Sequence, residues 1–146
     1  MSQPFVCMLS VTGESRDVAE VAAHFENEWR EMGRDNTVLR GFSWVQSTFP
    51  EKVNSAEGSM TWRFSADGRR PEVYAVVLSQ AFPKVRVHLA AADRSPAEWL
   101  AVAIAAQNGK FENIDQKNQD MRRYKNSADM ARDLLIRAEK LRISSR

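Results

Sequence analysis

The side chains of this 146-residue chain that could do chemistry are few and scattered. One cysteine, Cys7, and two histidines, His24 and His88, are the only soft nucleophiles or imidazole ligands. No Cys/His cluster has metal-ligand spacing, so no metal site is expected. Cys7 sits in an apolar run with nothing beside it to lower its pKa, which describes a buried strand thiol better than a nucleophile. Ser10 and Thr12 lack a glycine elbow, and phosphate-loop and dinucleotide fingerprints are absent. The expectation is no catalytic residue and no cofactor.

What remains is charge and aromatic surface. Arg63, Arg69, Arg70 and Arg86 surround a strand–helix–strand unit that also carries Trp62, and Trp44 stands upstream. Residues 117–146 hold nine Lys or Arg against four acids, so a net +5 tail follows a body of −3. Arg122, Arg123, Lys125 and Arg137 belong to that tail. Such a cationic segment steers toward nucleic acid, anionic lipid or an acidic protein, or forms a solvated helix face. Leu134, Leu135 and Leu141 give the same tail an apolar stripe, suited to groove docking, to homodimerisation through the helix, or to packing on its own domain. Trp99, if exposed, would anchor an interface.

Several elements must position these groups. Phe5 to Thr12 alternate as a strand ended by Gly13. Ser15 is placed to cap a helix whose Val18, Val21, Ala22, Phe25, Trp29 and Met32 share one face, with Gly33 as its stop. Residues 42–49 read as a strand closed by Pro50, and 51–58 as a turn-rich link. Met60, Trp62 and Phe64 alternate with Thr61 and Arg63, either as core beneath the helices or as a base-stacking face. After the Asp67-Gly68 turn, Pro71 opens a helix with Tyr74, Val77, Leu78 and Ala81 on one stripe, ended by Phe82-Pro83. Val85, Val87 and Leu89 then face one way along a strand, leaving Arg86 and His88 on the other.

Residues 95–109 carry two signals. Ser95-Pro96-Ala97-Glu98 is a capping box, while Asn108-Gly109 between Leu100–Ile104 and Lys110–Ile114 is a type I′ hairpin turn. The hairpin is favoured here. Ser127 is placed to cap the final helix.

The order β-α-β-β-α-β through residue 90 is the split βαβ, ferredoxin-like plan: an antiparallel α+β sheet with two helices on one face. A hairpin extension and a terminal helix follow, giving a domain over 1–116 and a basic amphipathic helix over 117–146. No stretch approaches the roughly 18 apolar residues of a membrane span, and Met1-Ser-Gln-Pro4 opens no signal peptide, so a cytoplasmic location is expected.

Val11-Thr12-Gly13-Glu14 leading into Asp17-Val18-Ala19, Trp62-Arg-Phe-Ser-Ala66, Pro71, Phe82-Pro83 and Asn108-Gly109-Lys110 resemble the YubB-type ferredoxin-like domain of plasmid and phage proteins, over about residues 5 to 115. The chain departs from that pattern at Phe5-Val6-Cys7-Met8, where a Trp-Cys-x-Asn opening is usual, and at Asp67–Pro71, where an aromatic and paired prolines are usual. The resemblance implies a fold and a mobile-element origin, with no activity and no catalytic residues. The functional expectation is a non-enzymatic accessory or inhibitory factor that binds a protein complex. The alternative is a nucleic-acid-binding module using the open sheet face and the basic helix.

Overall fold

A computed structural model of the chain describes residues 5–35, 43–44, 50–67, 72–93, 100–115 and 126–143. Its strands are β1 (Phe5–Thr12), β2 (Ser43–Trp44), β3 (Glu51–Ala56), β4 (Ser59–Asp67), β5 (Arg86–Asp93), β6 (Leu100–Gln107) and β7 (Lys110–Asp115). Its helices are α1 (Ser15–Asp35), α2 (Glu72–Ala81) and α3 (Ser127–Glu139).

Among the described residues the architecture is α+β, with one open antiparallel sheet and three helices. The strand order is β2-β4-β1-β5-β6-β7, and β3 also pairs with β4, so seven strands fill six positions. β2 and β3 share one edge of β4, opposite residues 66–67 and 59–63 respectively.

Alternation along each strand splits the sheet's side chains into two cores. Cys7, Leu9, Val11, Trp62, Phe64, Val87, Leu89, Val102 and Ile104 face α1 and α2, meeting Val18, Val21, Phe25, Tyr74 and Leu78. Phe25 is the hub of this layer, its ring centroid 5.0 Å from Trp62, 5.7 Å from Phe64 and 6.2 Å from Tyr74. Trp62 donates its indole N–H to Glu26 Oε2 at 3.2 Å, and the Tyr74 hydroxyl donates to Glu28 Oε1 at 3.3 Å. Both polar tips are thereby satisfied at the rim of an apolar layer. Burial, reinforced by the Glu28 carboxylate, pushes the Tyr74 hydroxyl's pKa well above its usual value.

The opposite face carries small residues. Ala90 and Ala92 on β5 and Ala101 and Ala103 on β6 form a low floor, on which α3 seats Met130, Ala131, Leu134, Leu135 and Ala138. Only short side chains allow a helix to approach a sheet so closely, and each large apolar side chain buried there contributes roughly 1.5–3 kcal/mol. This face is therefore covered over β1, β5 and β6, where a two-layer body would have left it bare.

Of the strand expected over 42–49, Ser43–Trp44 form β2 and the other residues lie outside the described ones; the turn-rich link expected over 51–58 requires correction. Residues 51–56 form β3, a strand with every residue exposed. Its polar composition resembles a turn because it lies at the outer edge of β4, held by backbone pairing and with no core to fill. At the β3–β4 turn, Gly58 has φ +77° and a Cβ there would lie 2.7 Å from the Gly13 carbonyl oxygen. The Gly13 N–H donates to the Gly58 carbonyl at 3.0 Å, so this close approach ties the β3–β4 turn to the β1–α1 corner.

α1 continues through Gly33, and its first backbone bond runs from the Val18 N–H to the Glu14 carbonyl, which makes Glu14 the cap and Ser15 the first helical residue. Asn126 caps α3, its side chain accepting from the Asp129 N–H at 2.8 Å. The Asn108-Gly109 turn has φ +52° and +81°, the left-handed pair that a type I′ hairpin demands. Val102–Gln107 thus pair with Lys110–Asp115 in a hairpin, the capping-box residues 95–98 lie outside the described ones, and the Ser79 hydroxyl on α2 accepts from the Gly109 N–H at 3.1 Å.

Candidate functional site

Two places on the α3 face gather the polar side chains singled out by the sequence. The first is buried. On β1 and β5, alternation turns Ser10, Arg86 and His88 toward α3, and Ser10 stands opposite His88 in the strand register. His88 is 1% exposed and Ser10 is wholly buried. Arg86 donates from Nε to His88 Nε2 at 2.7 Å, so Nε2 is the unprotonated nitrogen and Nδ1 carries the proton. Nδ1 lies 3.2 Å from Ser10 Oγ, and the Ser10 hydroxyl donates to Glu139 Oε2 at 3.0 Å. Arg86 Nη2 also donates to the carbonyls of Ala138, at 3.4 Å, and Leu141. Arg86 is thus a side-chain cap on the last turn of α3, where carbonyls point out unpaired and attract a cation.

The electrostatics follow from burial. Desolvation, with the Arg86 charge adding to it and a hydrogen bond to Ser10 opposing, pushes the His88 imidazole down to about 4. Burial also lowers the Arg86 guanidinium, against the pull of Glu139. The hydrogen bonding within this cluster is cohesive. In a hydrolytic triad the imidazole bridges hydroxyl and carboxylate and removes the hydroxyl proton. Here the hydroxyl bridges imidazole and carboxylate, and Nδ1 is already protonated. The network fastens α3 to β1 and β5.

The second place is open. α3 covers β1, β5 and β6 but runs beside β4 and β3, leaving a cleft of about 410 Å³. Met8 and Leu135 form its floor, Val53 and Ile136 its apolar rims, and Arg63 and Arg132 stand along it with Thr61, Asn54 and Asp129. A β-bulge between Lys52 and Asn54 sets Val53 at the rim. Val53 is 41% and Ile136 44% exposed. Arg63 pairs with Glu51 at 2.6 Å, an exposed pair between facing residues of β3 and β4. Pairs of this kind are worth at most about 1 kcal/mol, so Arg63 can be drawn to another carboxylate.

Of the residues selected from sequence, Arg63 and Leu135 meet in this cleft. Leu135 is 4% exposed and belongs to the core under α3, so it cannot itself be the docking side chain. Arg86 faces the α3 carbonyls instead of a phosphate. Arg137 is half-buried in the last turn of α3. Arg69, Arg70, Trp99, Arg122, Arg123 and Lys125 lie outside the described residues. Trp62 and Phe64 are buried against α1, so they do not form a stacking platform. Sequence reasoning missed Arg132, Ile136 and Val53. The first two are one helical turn apart, off the apolar stripe, and an isoleucine off its stripe is the signal that marks them. Val53 gave no signal, because its placement comes from the bulge.

A second shallow groove, of about 390 Å³, runs between the start of α1 and the α2–β5 connection, with Arg16, Asp17, Glu20, Lys84 and Phe82 along it. Its mixed charges select no ligand chemistry. Among the described residues no three of His, Cys, Asp and Glu cluster closely enough to hold a metal ion, and no helix is long and apolar enough to cross a membrane. No family model, no curated protein and no solved structure matches this chain.

Proposed function

We propose that this chain is a non-catalytic binding protein that receives an acidic, amphipathic segment of a protein partner in the cleft between α3 and the β3–β4 edge. The carrying observation is the pairing of two exposed aliphatic rims, Val53 and Ile136, with two guanidiniums, Arg63 and Arg132, in one concave surface. Asp129 is the carboxylate in the lining, and Glu51 holds Arg63 only through an exposed pair worth at most about 1 kcal/mol, so an acidic occupant can draw on both guanidiniums, and the apolar rims ask for aliphatic or aromatic side chains between its charges. The fold is proposed to be an elaborated split β-α-β plan. In support, β1 lies between β4 and β5 with β3 outside β4, as that plan requires. The resemblance to YubB-type domains adds a proposed plasmid or phage origin, and with it we propose a cytoplasmic accessory or inhibitory factor.

Protein is favoured over nucleic acid because the aromatic side chains of β4 are spent in the α1 core, so that among the described residues the α3 face has no stacking surface of the kind unpaired bases use. The test is selection of peptides from a random display library on the intact chain. The expected result is enrichment of sequences mixing Asp or Glu with large apolar residues, with binding lost in Ile136→Asp and in Arg132→Glu. Both positions are exposed, so both variants should fold. Peptides that bind regardless of those substitutions would overturn the reading. So would an absence of selected peptides together with tight, steeply salt-dependent binding of single-stranded nucleic acid, the mark of phosphate contacts.

A further inference from the structure

The two edges of the sheet are built differently. On the β3 side the ladder is broken by the bulge at Val53 and carries Lys52, features that discourage pairing with another chain. β7, at the other end, is unbroken from Lys110 to Asp115, and no strand lies beyond it among the described residues. It also carries Phe111, 52% exposed, on the face covered by α2. Val73 on that helix is equally exposed.

The hairpin fixes which backbone groups of β7 are available. Gln107 and Lys110 close a type I′ turn, so they exchange both hydrogen bonds, and the alternation of an antiparallel ladder gives the next such pair at Ala105 and Glu112. The N–H and C=O groups of Phe111, Asn113 and Asp115 therefore point away from β6.

We propose that β7 joins a second copy of this chain through an antiparallel, two-fold pairing centred on Phe111. In that register Phe111 stands opposite the second copy's Phe111 and exchanges both outward hydrogen bonds with it. Lys110 faces the second copy's Glu112, and Glu112 faces its Lys110. Shifting the centre to Asn113 would set Phe111 against Asp115 and Glu112 against Ile114, which loses the aromatic pair and both charge pairs. A two-fold edge pairing is closed, so it stops at the dimer. This proposal is independent of the cleft.

One short edge buries far less than a standard interface, so the dissociation constant should be on the order of 10 µM or weaker. Sedimentation velocity on the intact chain, from about 5 to 500 µM, should show a monomer–dimer equilibrium in that range. Lys110→Glu replaces two attractive pairs with two repulsive ones and should weaken the dimer about tenfold or more. The double variant Lys110→Glu, Glu112→Lys recreates both pairs in reverse and should restore it. Lys110 and Glu112 are exposed, and circular dichroism of each variant is to check that it folds. A chain that stays monomeric to the top concentration refutes the proposal. Dimerisation undiminished in Lys110→Glu, or not restored in the folded double variant, refutes it equally.

Discussion

His88 makes the stability of this protein depend on pH in a window that few side chains reach. In the folded chain its pKa is about 4, against 6.5 when solvated. Between those values the unfolded chain takes up a proton that the folded chain refuses, so folding weakens as pH falls. At about 1.36 kcal/mol per unit, a difference of about 2.5 units amounts to about 3 kcal/mol, present in full above pH 6.5 and lost by pH 4. That is a large share of the 5–15 kcal/mol typical of a domain. Carboxylates titrate near the lower end of this window, so the imidazole must be isolated by difference. His88→Gln keeps an acceptor for Arg86 and a donor for Ser10 but does not titrate. Urea unfolding of both proteins at half-unit steps from pH 7.5 to 4 yields the stability gap between them. The expected result is a gap that shrinks, in the variant's favour, by about 3 kcal/mol across the window. A gap that stays constant within about 0.5 kcal/mol would show that His88 is not held neutral, and the reasoning about its burial beneath α3 would fail.

Two further outcomes test the seating of α3. Arg86→Met removes the charged donor from the carbonyls of Ala138 and Leu141 and from His88, and should cost about 2 kcal/mol. Hydrogen exchange should accelerate first in residues 134–141 and not in α1. Leu134→Ala, at a wholly buried position of α3, should cost about 3 kcal/mol, whereas Ile136→Ala, half-exposed at the cleft rim, should cost under about 0.5 kcal/mol. Denaturant melts of the two variants compare them directly, and equal losses would place α3 in a different orientation.

The alternation of β1, β4 and β5 was readable because one face of each buries large side chains, and a period of two survives in the sequence wherever that is so. α1 was readable for the analogous reason, and Asn108-Gly109 because a type I′ turn restricts residue type more than almost any other local structure. β3 was not, since an edge strand exposed on both faces keeps no hydrophobic rhythm. Gly33 misled as a helix stop, because glycine is permitted within a helix as well as after it. The seat of α3 had a faint sign in the alanines at 90, 92, 101 and 103, too small to drive burial but small enough to admit a helix. Placing Arg86 and His88 on the face away from Val85, Val87 and Leu89 was correct, and so was reading Cys7 as a buried strand residue. That Arg86 and His88 lie under α3 depends on Glu139 and Leu141, about fifty residues downstream, and no local pattern encodes such a meeting. The cleft shares that origin. Arg63 was visible as an outward residue of its strand, but its neighbours Arg132 and Ile136 arrive only once α3 is laid down.

The central position of β1 governs how this molecule can come into being. Its two hydrogen-bonded flanks are contributed by residues 59–66 and 86–92. During synthesis the middle of the sheet is thus made early and must wait, first for one flank and then for the other. A nascent chain halted before residue 86 would expose Cys7, Leu9 and Val11 along a bare edge, a template for pairing with the wrong partner. Assembly by such distant contacts is slow for a chain of this size, and the interval before β5 arrives is when aggregation or chaperone capture would compete with it.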